Sequence, residues 1–194
     1  MIRYNRSEVQ TTMKRFSQLF AGAALLSLAA AGLLTGQETK QVHPGKGGSP
    51  HVTTSYKMGS QTVSITYGRP LRKNRVIFPD TIPYGKVWRL GADEATTLET
   101  TGDLMLGAVH LPAGKYTLYA IPGEKTWTLV VNKQTGQWGT VYKADQDLGR
   151  TEMKLAKAAS PADQLAITIE GPSNNKVLKV AWDTAVATAP LMMH

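Results

Sequence analysis

The chain has no cysteine among its 194 residues. That excludes disulfides, thiolate zinc sites, iron–sulfur clusters, cysteine nucleophiles and a lipidated cysteine at a processed N-terminus, so stability has to come from packing. Charge is scarce as well: 19% of residues are charged against 42% hydrophobic, which excludes a charge-rich disordered chain and a coiled coil. The signatures of common enzyme chemistries are missing. There is no His-Glu-x-x-His, no Gly-x-Ser-x-Gly, no Gly-rich phosphate loop ending in Lys-Ser/Thr and no EF-hand calcium loop. His43 and His51 fall in a Pro/Gly-rich stretch, His110 alternates with apolar neighbours and His194 is the last residue. None has a partner at a trusted ligand spacing, so the histidines read as isolated, and neither a metal nor a cofactor is expected.

What is present begins with an export signal. Arg3, Arg6, Lys14 and Arg15 precede an apolar run, Leu19 to Leu34, broken only by Ser27, and Ala29-Ala30-Ala31 offers small residues to a signal peptidase. The run is short for a membrane span, which takes about 20 predominantly apolar residues. Residues 1–36 are therefore expected to be a signal peptide, with membrane contact only through that segment if it stays uncleaved. The expected destination is the periplasm or the cell exterior. The formal net charge of +8 includes those leader cations, and the remainder is spread along the chain, so nucleic acid is not an expected partner.

Residues 37–51 hold Pro44, Gly45, Gly47, Gly48 and Pro50 and almost no large apolar side chain, the composition of a flexible tether. From Val52 to about residue 190 a single domain is expected. Short runs of β character recur through it: 52–57, 61–67, 96–101, 104–111, 115–121, 126–132, 152–156, 164–170, 176–183 and 185–189. Val63, Ile65 and Tyr67 make one apolar face, as do Trp127, Leu129 and Val131, then Leu165, Ile167 and Ile169, then Leu178, Val180 and Trp182. One-sided strands with no helix among them predict an all-β fold, an antiparallel two-sheet β-sandwich of jelly-roll-like kind.

The chemistry-bearing residues concentrate in the connection from Arg69 to Thr97. Its first seven residues carry four cations, Arg69, Arg72, Lys73 and Arg75, a set suited to carboxylate, phosphate or sulfate. Tyr84, Trp88, Arg89, Asp93 and Glu94 follow, with enough apolar residues around them to hold the loop in place. Two readings compete. An arginine–carboxylate network with stacked aromatics would pin the loop; alternatively Arg69, Arg75, Tyr84, Trp88, Arg89, Asp93 and Glu94 would line a polar pocket with an aromatic wall. The loop tryptophan Trp138 reads as a lid over one end of the fold.

The segments Tyr67-Gly-Arg-Pro70, Arg75-Val-Ile-Phe78, Pro83-Tyr-Gly-Lys-Val-Trp-Arg89, Gly91-Ala-Asp-Glu-Ala-Thr96, Leu111-Pro-Ala-Gly-Lys-Tyr116, Ile121-Pro-Gly123 and Trp138-Gly139 together resemble the DUF2911 family of exported bacterial proteins of unknown function. The resemblance covers about 52–183 and implies a β-rich exported domain; it supplies no activity, cofactor or catalytic residue. Asp93 stands where that family usually has Asn, and Asn74 where it usually has Gly. Asn tolerates a left-handed backbone better than most residues, so the turn before Arg75 should persist.

The function expected is that of an exported binding or accessory module, recognising a small anionic or carbohydrate-like ligand, or an envelope protein, through the 69–97 segment. The alternatives are an envelope hydrolase using Glu94 or Asp93 with an arginine clamp, and a purely structural or protein-interaction module.

Overall fold

Alternating burial builds the strands, and their pairing builds one sheet. The computed structural model describes residues 37–172 and 175–194; the expected leader lies outside the described residues. Ten strands follow in chain order: β1 (Gln37–His43), β2 (His51–Met58), β3 (Gln61–Gly68), β4 (Thr97–Thr100), β5 (Leu104–Leu106), β6 (Val109–Leu111), β7 (Gly114–Ile121), β8 (Thr126–Asn132), β9 (Asp147–Glu170) and β10 (Lys176–Met193). Among the described residues only two short helical turns, Ile77–Thr81 and Ala144–Gln146, interrupt them. Among the described residues no helix is long and apolar enough to cross a membrane.

The β2–β3 pair shows how sequence becomes structure. Val52, Tyr56, Met58, Val63, Ile65 and Tyr67 turn inward and are buried. On the opposite face Thr53 meets Thr66 at 2.8 Å and Ser55 meets Ser64 at 2.9 Å, hydroxyl to hydroxyl across the register. Burial on one face and cross-strand hydroxyl pairs on the other fix the register, because a slip of one residue would exchange the two.

Antiparallel pairing runs through all ten strands in the order β1-β2-β3-β4-β7-β8-β9-β10-β5-β6. The sequence led to two packed sheets; the hydrogen bonding observed is that of a single, largely antiparallel sheet. The reason lies in β9 and β10, which are 24 and 18 residues long and were expected as shorter, separate strands. Their pairing shifts register on both sides of Asp183, which adopts φ 53°, and residues 158–161 bulge opposite Thr184. Beyond the bulge, the distal hairpin returns to β3: the Ile167 N–H donates to the Tyr67 hydroxyl at 2.9 Å, and Leu165 N–H to the Pro70 carbonyl at 3.1 Å. The core therefore joins residues of β2 and β3 to Leu165, Ile167, Leu178 and Val180.

Two further expectations change. Residues 37–51 are not a tether throughout: Gln37–His43 pairs with β2 as an exposed edge strand, its side chains polar because its outer side faces water. The expected strand over 104–111 is a hairpin, β5 and β6, turning at Gly107 with φ 56°.

Four aromatic side chains occupy the centre. Trp127 and Trp182 are 1% and 3% exposed, Trp88 stacks on Trp182 with centroids 6.0 Å apart, and Phe78 sits 4.8 Å from Trp127. Truncating Trp127 or Trp182 to alanine should each cost about 3–5 kcal/mol in urea denaturation. A loss below about 1 kcal/mol for both would contradict this strand phase.

Candidate functional site

A connection as long as 69–96 must find partners for its backbone groups. It finds them on the sheet. The Arg72 N–H donates to Asp163 O at 2.6 Å, Leu71 bridges Gln164, and Trp88 and Ala120 exchange backbone hydrogen bonds of 2.7 and 2.9 Å. Further on, Gly85 N–H donates to Pro122 O and Ala95 N–H to Gln137 O. Backbone pairing, with Trp88 driven into the aromatic centre, is what pins this loop.

The arginine–carboxylate network expected for that task is not formed. Arg69 donates to Leu165 O, Arg75 to the carbonyls of Arg72 and Leu71, and Arg89 to Gly91 O. Arg72 alone of the loop's arginines approaches carboxylates, Asp183 at 3.7 Å and Asp163 at 3.9 Å. Arg89 and Glu94 form no ion pair among the described residues; Glu94 turns to histidine instead.

Between the loop and the sheet lies a cavity of about 800 Å³. Lys46, Lys73, Arg75, Lys86 and Arg89 line it against one carboxylate, Asp93. Among the described residues none of those five cations makes an ion pair: Lys73 donates to Gly47 O, Lys46 sits 5.2 Å above the Trp138 ring, and the two arginines hold carbonyls. Five uncompensated cations around one concavity create a positive potential that the low-dielectric walls focus. Those walls are partly aromatic: Trp88, Trp182, Tyr119 and Tyr142.

The tyrosines are held by their hydroxyls. Tyr119 donates to Val141 O at 2.8 Å and Tyr142 to Asp147 at 2.7 Å, and the rings meet edge to face at 4.9 Å. Burial alone would raise the Asp147 carboxyl, but hydrogen bonds from Asn132, Tyr142 and Arg150 outweigh it and hold the group below its ordinary value.

Of the seven expected site residues, Arg75, Trp88, Arg89 and Asp93 line the cavity, whereas Arg69, Tyr84 and Glu94 do not. Lys46, Tyr119 and Tyr142 were not anticipated, because they come from three separate segments and no local pattern links them; Lys86 belongs to the dense 69–97 segment but was not singled out there. Trp138 is no buried lid: it remains 40% exposed and serves as the platform under Lys46.

The histidines are the larger correction. His43 and His51 are opposite residues of β1 and β2, so what looked like an isolated pair in a tether is a cross-strand neighbour pair. Their rings stack at 4.2 Å. His51 is buried, with its Nε2 3.1 Å from Glu94 Oε2 and 3.6 Å from Asp93 Oδ2, and His43 Nε2 lies 3.6 Å from Glu94 Oε2. Burial lowers the His51 pKa, and the neighbouring carboxylates do not fully offset it. Gly68 makes room for this ring: a Cβ there would stand 2.6 Å from His51 Nε2 and 2.5 Å from Ala92 O. A signal for the pair existed only in knowing that 44–50 forms the turn between two strands.

A family model described as a protein of unknown function (DUF2911) matches residues 49–191. The chain belongs to the DUF2911 family. Comparisons with curated proteins and with solved structures return no match. Asn74 and Asp93, at φ 59° and 61°, both sit in the left-handed region that Gly and Asn favour, so the turn before Arg75 persists with Asn74, and Asp93 meets the same backbone requirement. Gly139 has a steric reason, since a Cβ there would stand 2.4 Å from Arg89 Cδ and 2.8 Å from Asp93 O.

Gly139→Ala should therefore displace Arg89 and cost about 1–3 kcal/mol in chemical denaturation; an unchanged midpoint would contradict the close approach. Asp147 gives a pH prediction. Its folded pKa is lower than its unfolded one, so its stabilisation is full above the ordinary value of 3.8 and is lost as pH falls through the folded value. The stability gap between wild type and Asp147→Asn should shrink as pH drops from 5 into that range, and a gap independent of pH would refute the assignment.

Proposed function

We propose that this DUF2911 domain is an exported binding module that holds a small organic anion, a carboxylate or phosphate with an unsaturated or sugar-like body, in the cavity between the 69–96 loop and the sheet. The carrying observation is the excess of cations there: among the described residues Lys46, Lys73, Arg75, Lys86 and Arg89 face Asp93 alone, and none is neutralised by an ion pair. Holding like charges together costs free energy, which a bound anion recovers. The carbonyl contacts of Arg75 leave the rest of its guanidinium free to bind, and the aromatic walls suit a flat or ring-shaped body. Export rests on the basic, apolar and small-residue pattern of the first 36 residues.

The hydrolase alternative, Glu94 or Asp93 as acid or base with an arginine holding the substrate's anion, has less support: Arg75, Arg89 and Asp93 line the cavity, whereas Glu94 does not and turns to the histidines.

Thermal-shift and calorimetric titrations with phosphate monoesters, dicarboxylates and neutral sugars test the proposal. Anions should stabilise the protein with a strong dependence on ionic strength, and Arg75→Met combined with Lys86→Met should abolish the effect without lowering the midpoint of the unliganded protein. Equal response to neutral sugars, or stabilisation retained in the double variant, would refute an anion site here.

A further inference from the structure

Next to the cavity, but formed from β1, β2 and the 93–94 turn, stands the cluster of His43, His51 and Glu94. Each offers one ligand atom, and all three atoms lie within 4.8 Å of one another. For a tetrahedral ion with bonds of about 2.0–2.1 Å the donors stand about 3.3 Å apart. The measured separations from Glu94 Oε2, 3.1 Å to His51 Nε2 and 3.6 Å to His43 Nε2, are close to that, whereas the two rings stack nearly parallel at 4.2 Å, so the exposed His43 ring must turn for both nitrogens to face one ion.

The second observation is independent of that spacing. The His51 side chain is 3% exposed, yet its Nε2 has no hydrogen-bond partner. Leaving a buried polar atom without a partner forfeits its hydration with nothing in return, and native proteins rarely tolerate one without a reason. At 3.1 Å from Glu94 Oε2 the atom is close enough to bond and is not aligned to do so. An atom buried beside two carboxylates and hydrogen-bonded to neither is satisfied by a cation placed between them.

We propose that His43, His51 and Glu94 bind a first-row divalent transition ion of the zinc class, with at least one coordination position left open. Two imidazole nitrogens and one carboxylate oxygen match the donor set of open zinc sites. They exclude the hard ions calcium and magnesium, which take oxygen donors. Side chains of His43 and Glu94 are 39% and 51% exposed, which gives the ion an entry path and keeps the remaining position accessible. Asp93 Oδ2 accepts the Lys46 backbone N–H at 2.9 Å and lies 3.6 Å from the same His51 Nε2, near enough to add its negative charge to the site.

Loading carries a second requirement. In the present arrangement the Gly45 N–H donates to His43 Nδ1, so the ring proton resides on Nε2. Binding through Nε2 moves that proton to Nδ1, and the Gly45 amide must give way. Gly45 lies in the turn between β1 and β2, at φ 71°.

The test uses the full chain, stripped with EDTA and dialysed, titrated with Co²⁺ in the visible range and with Zn²⁺ by calorimetry. One equivalent should bind, with the intense visible absorption of low-coordinate Co²⁺, and Zn²⁺ should displace it. His43→Ala and Glu94→Gln, both at exposed side chains, should each weaken Zn²⁺ binding by about 100-fold or more, beyond the 10–100-fold that loss of an outer partner costs. Tryptophan fluorescence should show these variants folded. His51→Ala should also lose the ion, but its buried position makes the other two variants the decisive ones. Absence of any Co²⁺ spectrum at millimolar metal would overturn the proposal. So would binding that survives both His43→Ala and Glu94→Gln, which would locate the ion elsewhere. Phosphate titration of the stripped protein reads the cavity separately, so failure of either site leaves the other measurable.

Discussion

Everything at the candidate site depends on the backbone hydrogen bonds that fasten the 69–96 connection to β7 and to distal β9. The reciprocal pair between Trp88 and Ala120 and the bond from Arg72 N–H to Asp163 O treat a loop as additional strand. Burial of Trp88 against Trp182 and Trp127 then supplies apolar stabilisation that a polar loop of this length would lack. With the loop held this way, its charged side chains are released from structural duty. That release is why Arg75, Lys86 and Arg89 reach a cavity instead of pairing with Asp93 and Glu94.

The charge arrangement follows from the same economy. Carboxylates that an arginine network would have consumed face β1 and β2, where they meet His43 and His51. The molecule thereby separates a cation-rich cavity from a histidine–carboxylate cluster, with Asp93 belonging to the edge of both. Glycines permit the proximity: Gly139 lets Arg89 pass beside the Asp93 carbonyl, and Gly68 lets the His51 ring lie against Ala92. Gly91 likewise lies where backbones approach closely, and Asp93 turns left-handed.

Much of the fold was legible where alternation was strong. Val63, Ile65 and Tyr67 of β3, Trp127, Leu129 and Val131 of β8, and Leu165, Ile167 and Ile169 of β9 face the core as their periodicity required. The continuity of β9 was not legible, since Lys154, Ala156, Lys157, Ala158 and Ser160 carry no apolar face over the stretch that bends. Strand β1 escaped for a related reason: an exposed edge with polar side chains on both sides reads as linker. Missing β1 meant missing the register that sets His43 opposite His51, and so the cluster itself. At the cavity, Arg75, Trp88, Arg89 and Asp93 came from one dense segment and could be proposed together. Lys46, Tyr119 and Tyr142 come from distant segments that only the tertiary structure joins.

The central claim is that uncompensated cations make the cavity an anion site, and a crystal structure grown with a heavy anion such as bromide or tungstate reads it directly. Anomalous density should appear between Lys73, Arg75, Lys86 and Arg89, with Trp88 and Tyr142 at its walls. If the cavity holds no anomalous peak, and those cations are found paired with carboxylates of the same chain, the account is wrong.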